Sequence, residues 1–400
     1  MNFLKESENL TPRLKSIQQR VLIAGVVGLV LAFVGAIFNK DQFFQSYLFA
    51  YIFWIQIAIG GLIINMIHHV AGGAWSALLQ RLLEAAMLVL PIMAALFLPI
   101  LIGMETLYPW ARPDAVNDHI LQQKAPYLSV PFFIARTVFY FIAWIAIAYF
   151  LRKWSLERDK SGDQTLAIRL KNLSAPGILI LGITITFASV DWMMSLEPHW
   201  YSTIYGMRFG ISAFVSALSF VILVALWLRK YKPFSEIVTT KNLNDWGSFL
   251  LAGVMLWAYI AFSQYLIIWS GNLKEEIPWY IKRTEGGWQW LGLALIFIHF
   301  ILPFAFLLTR NARRTPDLLM KVTAMVFIMR IIDIYWRITP AFYPEQFHLG
   351  WVDIVAWIGI GGLWLAMFTR NLTGKSLLPM NDPFLEEKTH HEHQEVSHAH

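Results

Sequence analysis

The sequence predicts an all-α integral membrane protein with ten transmembrane helices, and three observations predict it. Of 400 residues, 57% are hydrophobic and only 14% are charged, against about 25% charged in a typical soluble domain. The apolar residues form long continuous runs without the alternation of a barrel strand, so helices are the spanning element. Lys and Arg are unevenly divided: with the N-terminus inside, 22 fall in inner segments and 8 in outer ones. Positive residues collect on the cytoplasmic side. Ten helices return the chain to the side where it began, so both termini are expected in the cytoplasm.

A hydrocarbon core of about 30 Å needs about 20 apolar residues per helix. Segments 18–38, 43–67, 82–107, 131–151, 174–194, 202–228, 247–270, 288–309, 317–338 and 350–369 meet that length. They are numbered helices 1 to 10. The domain reading follows: 1–17 a cytoplasmic N-terminal segment, 18–370 the ten-helix transmembrane domain, 371–400 a cytoplasmic polar tail. No small-residue cleavage site follows the first apolar run, so helix 1 is expected to be retained. The tail holds five of the 11 histidines in its last eleven residues. It reads as a solvated segment, with weak metal binding as the rival reading. Zero cysteines exclude cysteine-ligated iron–sulfur clusters, c-type haem attachment and disulfides within the chain. The net charge of +6 lies mostly in short loops and is not a nucleic-acid signal.

The stretch VDWMMSLEPHWYSTIYGMR, Val190 to Arg208, sits between two apolar runs yet carries Asp191, Glu197, His199 and Arg208. At 1.5 Å per residue, Asp191 is expected about 21 Å up helix 5 and Arg208 about 9 Å down helix 6. Those depths match across a hairpin whose apex is His199–Trp200. The pattern predicts an Asp191–Arg208 pair, with Pro198 ending the helix and Glu197 and His199 at the mouth. Helix 9 repeats the theme. Arg330, Asp333 and Arg337 are spaced by three and four and share one face. Asp191 precedes Pro198 by seven residues, and Asp333 precedes Pro340 by seven. This echo fits two parallel four-helix bundles, helices 2–5 and 6–9, plus two peripheral helices, 1 and 10. Arg136 lies in the outer part of helix 4, Ser263 and Gln264 in that of helix 7, and Glu105 and Asp353 near the outer interface.

The inner half is sparser. His68 and His69 end helix 2, Glu84 begins helix 3, and His299 is expected near the midplane. Ionisable residues at such depths mark pathways or pairs, and an imidazole titrates near neutral pH. The plainer reading is a salt-bridge network that fixes helix packing and a hydrogen-bonded core histidine. His299 has no intramembrane His partner at its level, which argues against axial haem ligation. No nucleotide, zinc or hydrolase motif is present, and Gly359, Gly361 and Gly362 read as close helix packing.

The run ASVDWMMSLEPHWYSTIYGMRFG, with ten helices and a polar N-terminus, resembles a multi-pass membrane component of bacterial alternative complex III. That component belongs to the wider group like NrfD and the polysulphide reductase membrane subunit. The resemblance covers nearly the whole chain, leaving out the His-rich tail. It implies a multi-pass subunit of a quinol-oxidising respiratory complex in the bacterial inner membrane. It implies the two-bundle fold. Its partners would be a related quinol-binding membrane subunit, an iron–sulfur subunit and haem c subunits. This chain would hold no cofactor and no catalytic residue, with haem c and iron–sulfur clusters in the partners. Its role would be structural, with proton conduction as a hypothesis. In that hypothesis His68, His69 and Glu84 face the cytoplasm and His299 bridges the middle. Asp333, Asp191, Glu197 and His199 open outward, with Arg208, Arg330, Arg337 and Arg136 as charge partners. The rivals are a purely structural scaffold and, last, a secondary transporter, which would show matched midplane helix breaks.

Overall fold

The computed structural model describes residues 9–379, and all regular structure among them is helical. The histidine-rich tail lies outside the described residues. Ten long elements carry the architecture: α1 (Thr11–Phe38), α2 (Lys40–Ala71), α3 (Gln80–Ile102), α4 (Val130–Ser161) and α5 (Thr165–Trp192), then α6 (Tyr205–Leu228), α7 (Thr240–Gly271), α8 (Trp288–Leu308), α9 (Pro316–Ile338) and α10 (Trp351–Leu372). Nine helices among the described residues are long and apolar enough to cross a membrane. α9 has 23 residues but carries Asp317, Lys321, Arg330, Asp333 and Arg337, and it is not one of the nine. α1 starts at Thr11, well before the expected residue 18, and α4 and α7 each run on through 32 residues.

α2 is the central element, 94% buried over its most apolar stretch, whereas α1 is 22% buried. α2 packs on α3 and α5, and α4 on α5. In the second half α6 packs on α7 and α9, and α8 on both α7 and α9. The halves meet where α6 lies against α2 and α5. α1 lies outside these groups as expected. α10 is less peripheral, because it is held between α1 and α2.

The α1–α10 contact rests on small residues, which let two backbones approach. A Cβ added at Gly362 would stand 2.3 Å from the Gly25 Cα, and one at Gly28 2.7 Å from the Gly359 nitrogen. Gly362→Leu is therefore expected to cost about 1–3 kcal/mol through overpacking. Thermal unfolding in detergent measures it, and an unchanged midpoint would contradict this packing.

α3 is a chain of short helical pieces, Gln80–Met87, Leu90–Ala95 and Leu98–Ile102. Pro91 and Pro99 lie just inside the second and third pieces. A proline has no N–H to donate and crowds the preceding turn. The tightened turns bond three residues back: Val89 N to Ala86 O, Phe97 N to Ala94 O and Ile100 N to Phe97 O. That releases the carbonyls of Ala85, Met93 and Leu96, which a bilayer cannot hydrate. Each finds a side chain. Asn371 Nδ2 donates to Ala85 O at 3.1 Å, the Tyr51 hydroxyl to Met93 O at 3.0 Å and the Tyr47 hydroxyl to Leu96 O at 2.8 Å. α8 is irregular too. Leu295–Ile301 forms π-helical turns around His299, and Pro303, four residues on, has no N–H for the His299 carbonyl.

Candidate functional site

The buried charges gather in separate centres. The first lies between α3 and α4. Glu84 is fully buried and accepts from Gln80 Nε2 at 3.0 Å and Ser155 Oγ at 2.6 Å. Its other oxygen meets both Arg81 and Arg152. Arg81 also pairs with Asp159. The sequence spaces these groups for it. Gln80, Arg81 and Glu84 open α3, while Arg152, Ser155 and Asp159 recur at three and four along one face of α4. The four charges cancel. His68 lies nearby in sequence, buried, with Nδ1 2.6 Å from Ser76 Oγ. The His68 and His69 rings are 5.1 Å apart.

The second centre corrects the expected hairpin pair. Asp191 does not face Arg208. Its carboxylate is held by Arg136 of α4, with Nε 2.9 Å and Nη2 2.8 Å away, and by the Tyr140 hydroxyl at 2.8 Å. Arg136 is fixed from its other side, 3.9 Å over the Tyr127 ring and 4.2 Å over Phe132. Equal depth on adjacent helices does not fix rotation about the helix axis. Asp191 points into the α4–α5 contact, and Arg208 points toward α9.

Arg208 belongs instead to a third centre, around Asp333. Arg208 Nη2 lies 3.4 Å from Asp333 Oδ1, and Arg330 Nη2 and Arg337 Nη2 lie 2.8 and 3.0 Å from Oδ2. All four residues are at most 3% exposed. Arg330 is fully engaged, its Nε 3.2 Å from Ser216 Oγ and its Nη1 3.2 Å from His299 Nε2. A guanidinium only donates, so His299 Nε2 accepts and the ring proton sits on Nδ1. That Nδ1 is buried without a hydrogen-bond partner among the described residues, and Trp257 packs edge-on to the ring at 4.2 Å. Three guanidiniums surround one carboxylate, so this centre carries a surplus of positive charge.

The connection between α5 and α6 differs from expectation as well. α5 ends at Trp192, six residues before Pro198. Ser195 Oγ donates to the Asp191 carbonyl at 2.5 Å and a short 3₁₀ turn, Met194–Leu196, follows. Pro198 therefore does not end the helix. Its carbonyl accepts from Lys124 Nζ at 2.6 Å. Glu197 does not stand open at the mouth. Its carboxylate takes Lys282 Nζ at 3.0 Å and Arg283 Nη2 at 2.8 Å. Arg283 also donates to the Arg337 carbonyl at 2.8 Å and lies 3.7 Å over Trp279, on which Trp200 stacks. His199 is exposed and reaches Asp118 Oδ2 at 2.7 Å. Asp118 is held below its usual range first by the Leu121 backbone N–H, then by His199. Asp191, Glu197, His199 and Asp333 thus sit with four separate sets of partners.

Burial alone would raise the Glu197 pKa, but Arg283 and Lys282 outweigh it and hold the group below its usual range. A lowered folded pKa stabilises above the unfolded value, about 4.3 for Glu. That stability is lost as pH falls through the folded pKa. The difference in thermal midpoint between wild type and Glu197→Gln is expected to be largest near neutral pH. It should shrink as pH falls below the ordinary glutamate range; a difference independent of pH would contradict the pairing.

Asp353, in the first turn of α10, ties three helices, accepting from Ser46 Oγ at 2.7 Å and the Tyr335 hydroxyl at 3.3 Å. Glu105 contributes its backbone carbonyl to Arg112 at 3.0 Å. Among the described residues no group of three or more His, Cys, Asp or Glu could hold a metal ion. The fold and these centres define a multi-pass helical membrane protein with buried, interhelical ion pairs. No family model matches the chain, and no curated protein matches it.

Proposed function

We propose that this chain is a cofactor-free membrane subunit of a quinol-oxidising respiratory complex of the alternative complex III kind, in a bacterial inner membrane. In this reading α9 is the tenth span, its arginines and Asp333 crossing as a paired set. The two four-helix bundles are α2–α5 and α6–α9, and both termini are cytoplasmic. A related quinol-binding membrane subunit, an iron–sulfur subunit and haem c subunits complete the assembly and hold its redox centres. The observation that carries the reading is the run DWMMSLEPHW, which carries the resemblance. Its ionisable residues are all engaged in interhelical or loop-to-loop pairs: Asp191 with Arg136, Glu197 with Arg283, His199 with Asp118.

A proton route is part of this proposal in a narrower form. Glu84, with His68 and His69 on the inner side, His299 in its π-helical turn and Asp333 are its members, and Arg330 links the last two. π-helical turns often occur at functional sites. Asp191, Glu197 and His199 are left out of this narrower form, because they pair with Arg136, Arg283 and Asp118, away from Glu84, His299 and Asp333. A purely scaffolding role has its own support: Glu84, Asp191 and Asp333 are each held by at least two donors.

Two measurements test the proposal. Membranes lacking this chain are expected to lose quinol:cytochrome c oxidoreductase activity and to regain it on complementation; full activity without the chain contradicts the reading. His299→Phe in the assembled complex, in vesicles, is expected to lower the protons moved per electron. An unchanged ratio removes the proton route and leaves the scaffold.

A further inference from the structure

A cavity of about 210 Å³ lies between the chain entering α6 and the C-terminal part of α7. Ser202 and Thr203 line it from one side, Gln264, Ile267 and Ile268 from α7, and Glu276 from the loop after α7. Gln264 is 1% exposed, yet neither its Nε2 nor its Oε1 has a partner among the described residues. Burying an amide with both ends unmatched is unfavourable, and such groups in a native structure call for an explanation.

The lining specifies what would match it. Nε2 needs an acceptor, and the Ser202 and Thr203 hydroxyls can donate to the same acceptor. Oε1 needs a donor, and the Glu276 carboxylate on the same wall favours a cationic one. The ligand therefore carries an acceptor oxygen and a cationic N–H donor together. Its remaining part is apolar, because the isoleucines form the rest of the wall, and Ile267 is 61% exposed.

Depth identifies the source. A 32-residue helix is about 48 Å long, so α7 exceeds a 30 Å core by about 18 Å in all. Gln264 lies seven residues, about 10 Å, before the helix end. The cavity is therefore at the boundary between acyl chains and headgroups. We propose that it binds the headgroup of a phospholipid with a primary ammonium. In this site Gln264 Nε2 and the two hydroxyls hold a phosphate or ester oxygen. Gln264 Oε1 and Glu276 receive the ammonium. A trimethylammonium headgroup has no N–H to donate, and the Glu276 charge opposes an anionic headgroup.

Native mass spectrometry of the full chain, released from vesicles of equal phosphatidylethanolamine and phosphatidylcholine with identical acyl chains, tests this. Wild type is expected to retain the ethanolamine lipid at least several-fold over the choline lipid. Gln264→Leu and Glu276→Gln are each expected to bring that preference close to one. Glu276 is on a half-exposed loop, so its variant tests the site even where the Gln264 variant folds poorly. Equal retention of the two lipids by wild type, or a preference that survives in Glu276→Gln, overturns the proposal. So does displacement of the lipid by free phosphoethanolamine at equal concentration, which would assign the site to a soluble headgroup.

Discussion

Asp333→Asn is expected to be the most destabilising single substitution in the buried centres, lowering stability by about 3–5 kcal/mol. That is the range for removing one partner of a buried charge pair. Among the described residues, Asp333 is the only carboxylate paired with Arg208, Arg330 and Arg337. An amide keeps the shape but removes the negative charge, and its Nδ2 presents N–H groups to guanidiniums that only donate. Three positive charges then remain together in a low-dielectric interior, where repulsion is poorly screened. Asp191→Asn provides the comparison. It strands one guanidinium, and Arg136 is 10% exposed and cushioned by two aromatic rings. Thermal unfolding of both variants should show the larger loss for Asp333→Asn. An Asp333→Asn protein as stable as wild type would mean that the guanidiniums are neutralised by something other than this carboxylate.

Glu84→Gln is expected to have the second largest effect, again on the order of 3 kcal/mol. It strands Arg152, while Arg81 keeps Asp159. Adding Arg152→Gln removes the stranded charge, so the double variant should be no less stable than Glu84→Gln alone. Coupled neighbours are read by such a cycle. Losses that simply add would show that the two side chains do not depend on each other.

The spanning elements were legible because length and continuous hydrophobicity decide them. Each expected segment is helical, and nine of the ten helices are long and apolar enough to cross a membrane, although α1, α4 and α7 extend well into the flanking polar sequence. The breaks in α3 also had a signal in Pro91 and Pro99, eight residues apart, and Pro303 marks the irregular α8. Pairing was legible only where it was local. Arg330, Asp333 and Arg337 share a face of one helix, and spacing alone puts them together. The same rule applied to Gln80, Arg81 and Glu84 and to Arg152, Ser155 and Asp159 would have found the two faces that form the Glu84 centre, though not that they meet. Which helix lies beside which is not written in spacing. Asp191 turned to α4 and Arg208 to α9 for that reason. Arg283 and Asp118 lie in connecting segments, where no periodicity announces a partner. The surplus charge around Asp333 became visible only once α6 was seen to deliver Arg208 to α9.

Affinity purification of this chain from native membranes in mild detergent, followed by visible spectroscopy and iron analysis of the product, tests the central claim most directly. Co-purifying c-type haem and iron–sulfur protein are expected, with the haem reduced on addition of quinol. A chain that purifies alone or as a homo-oligomer from intact, active membranes, free of haem and iron, would contradict it.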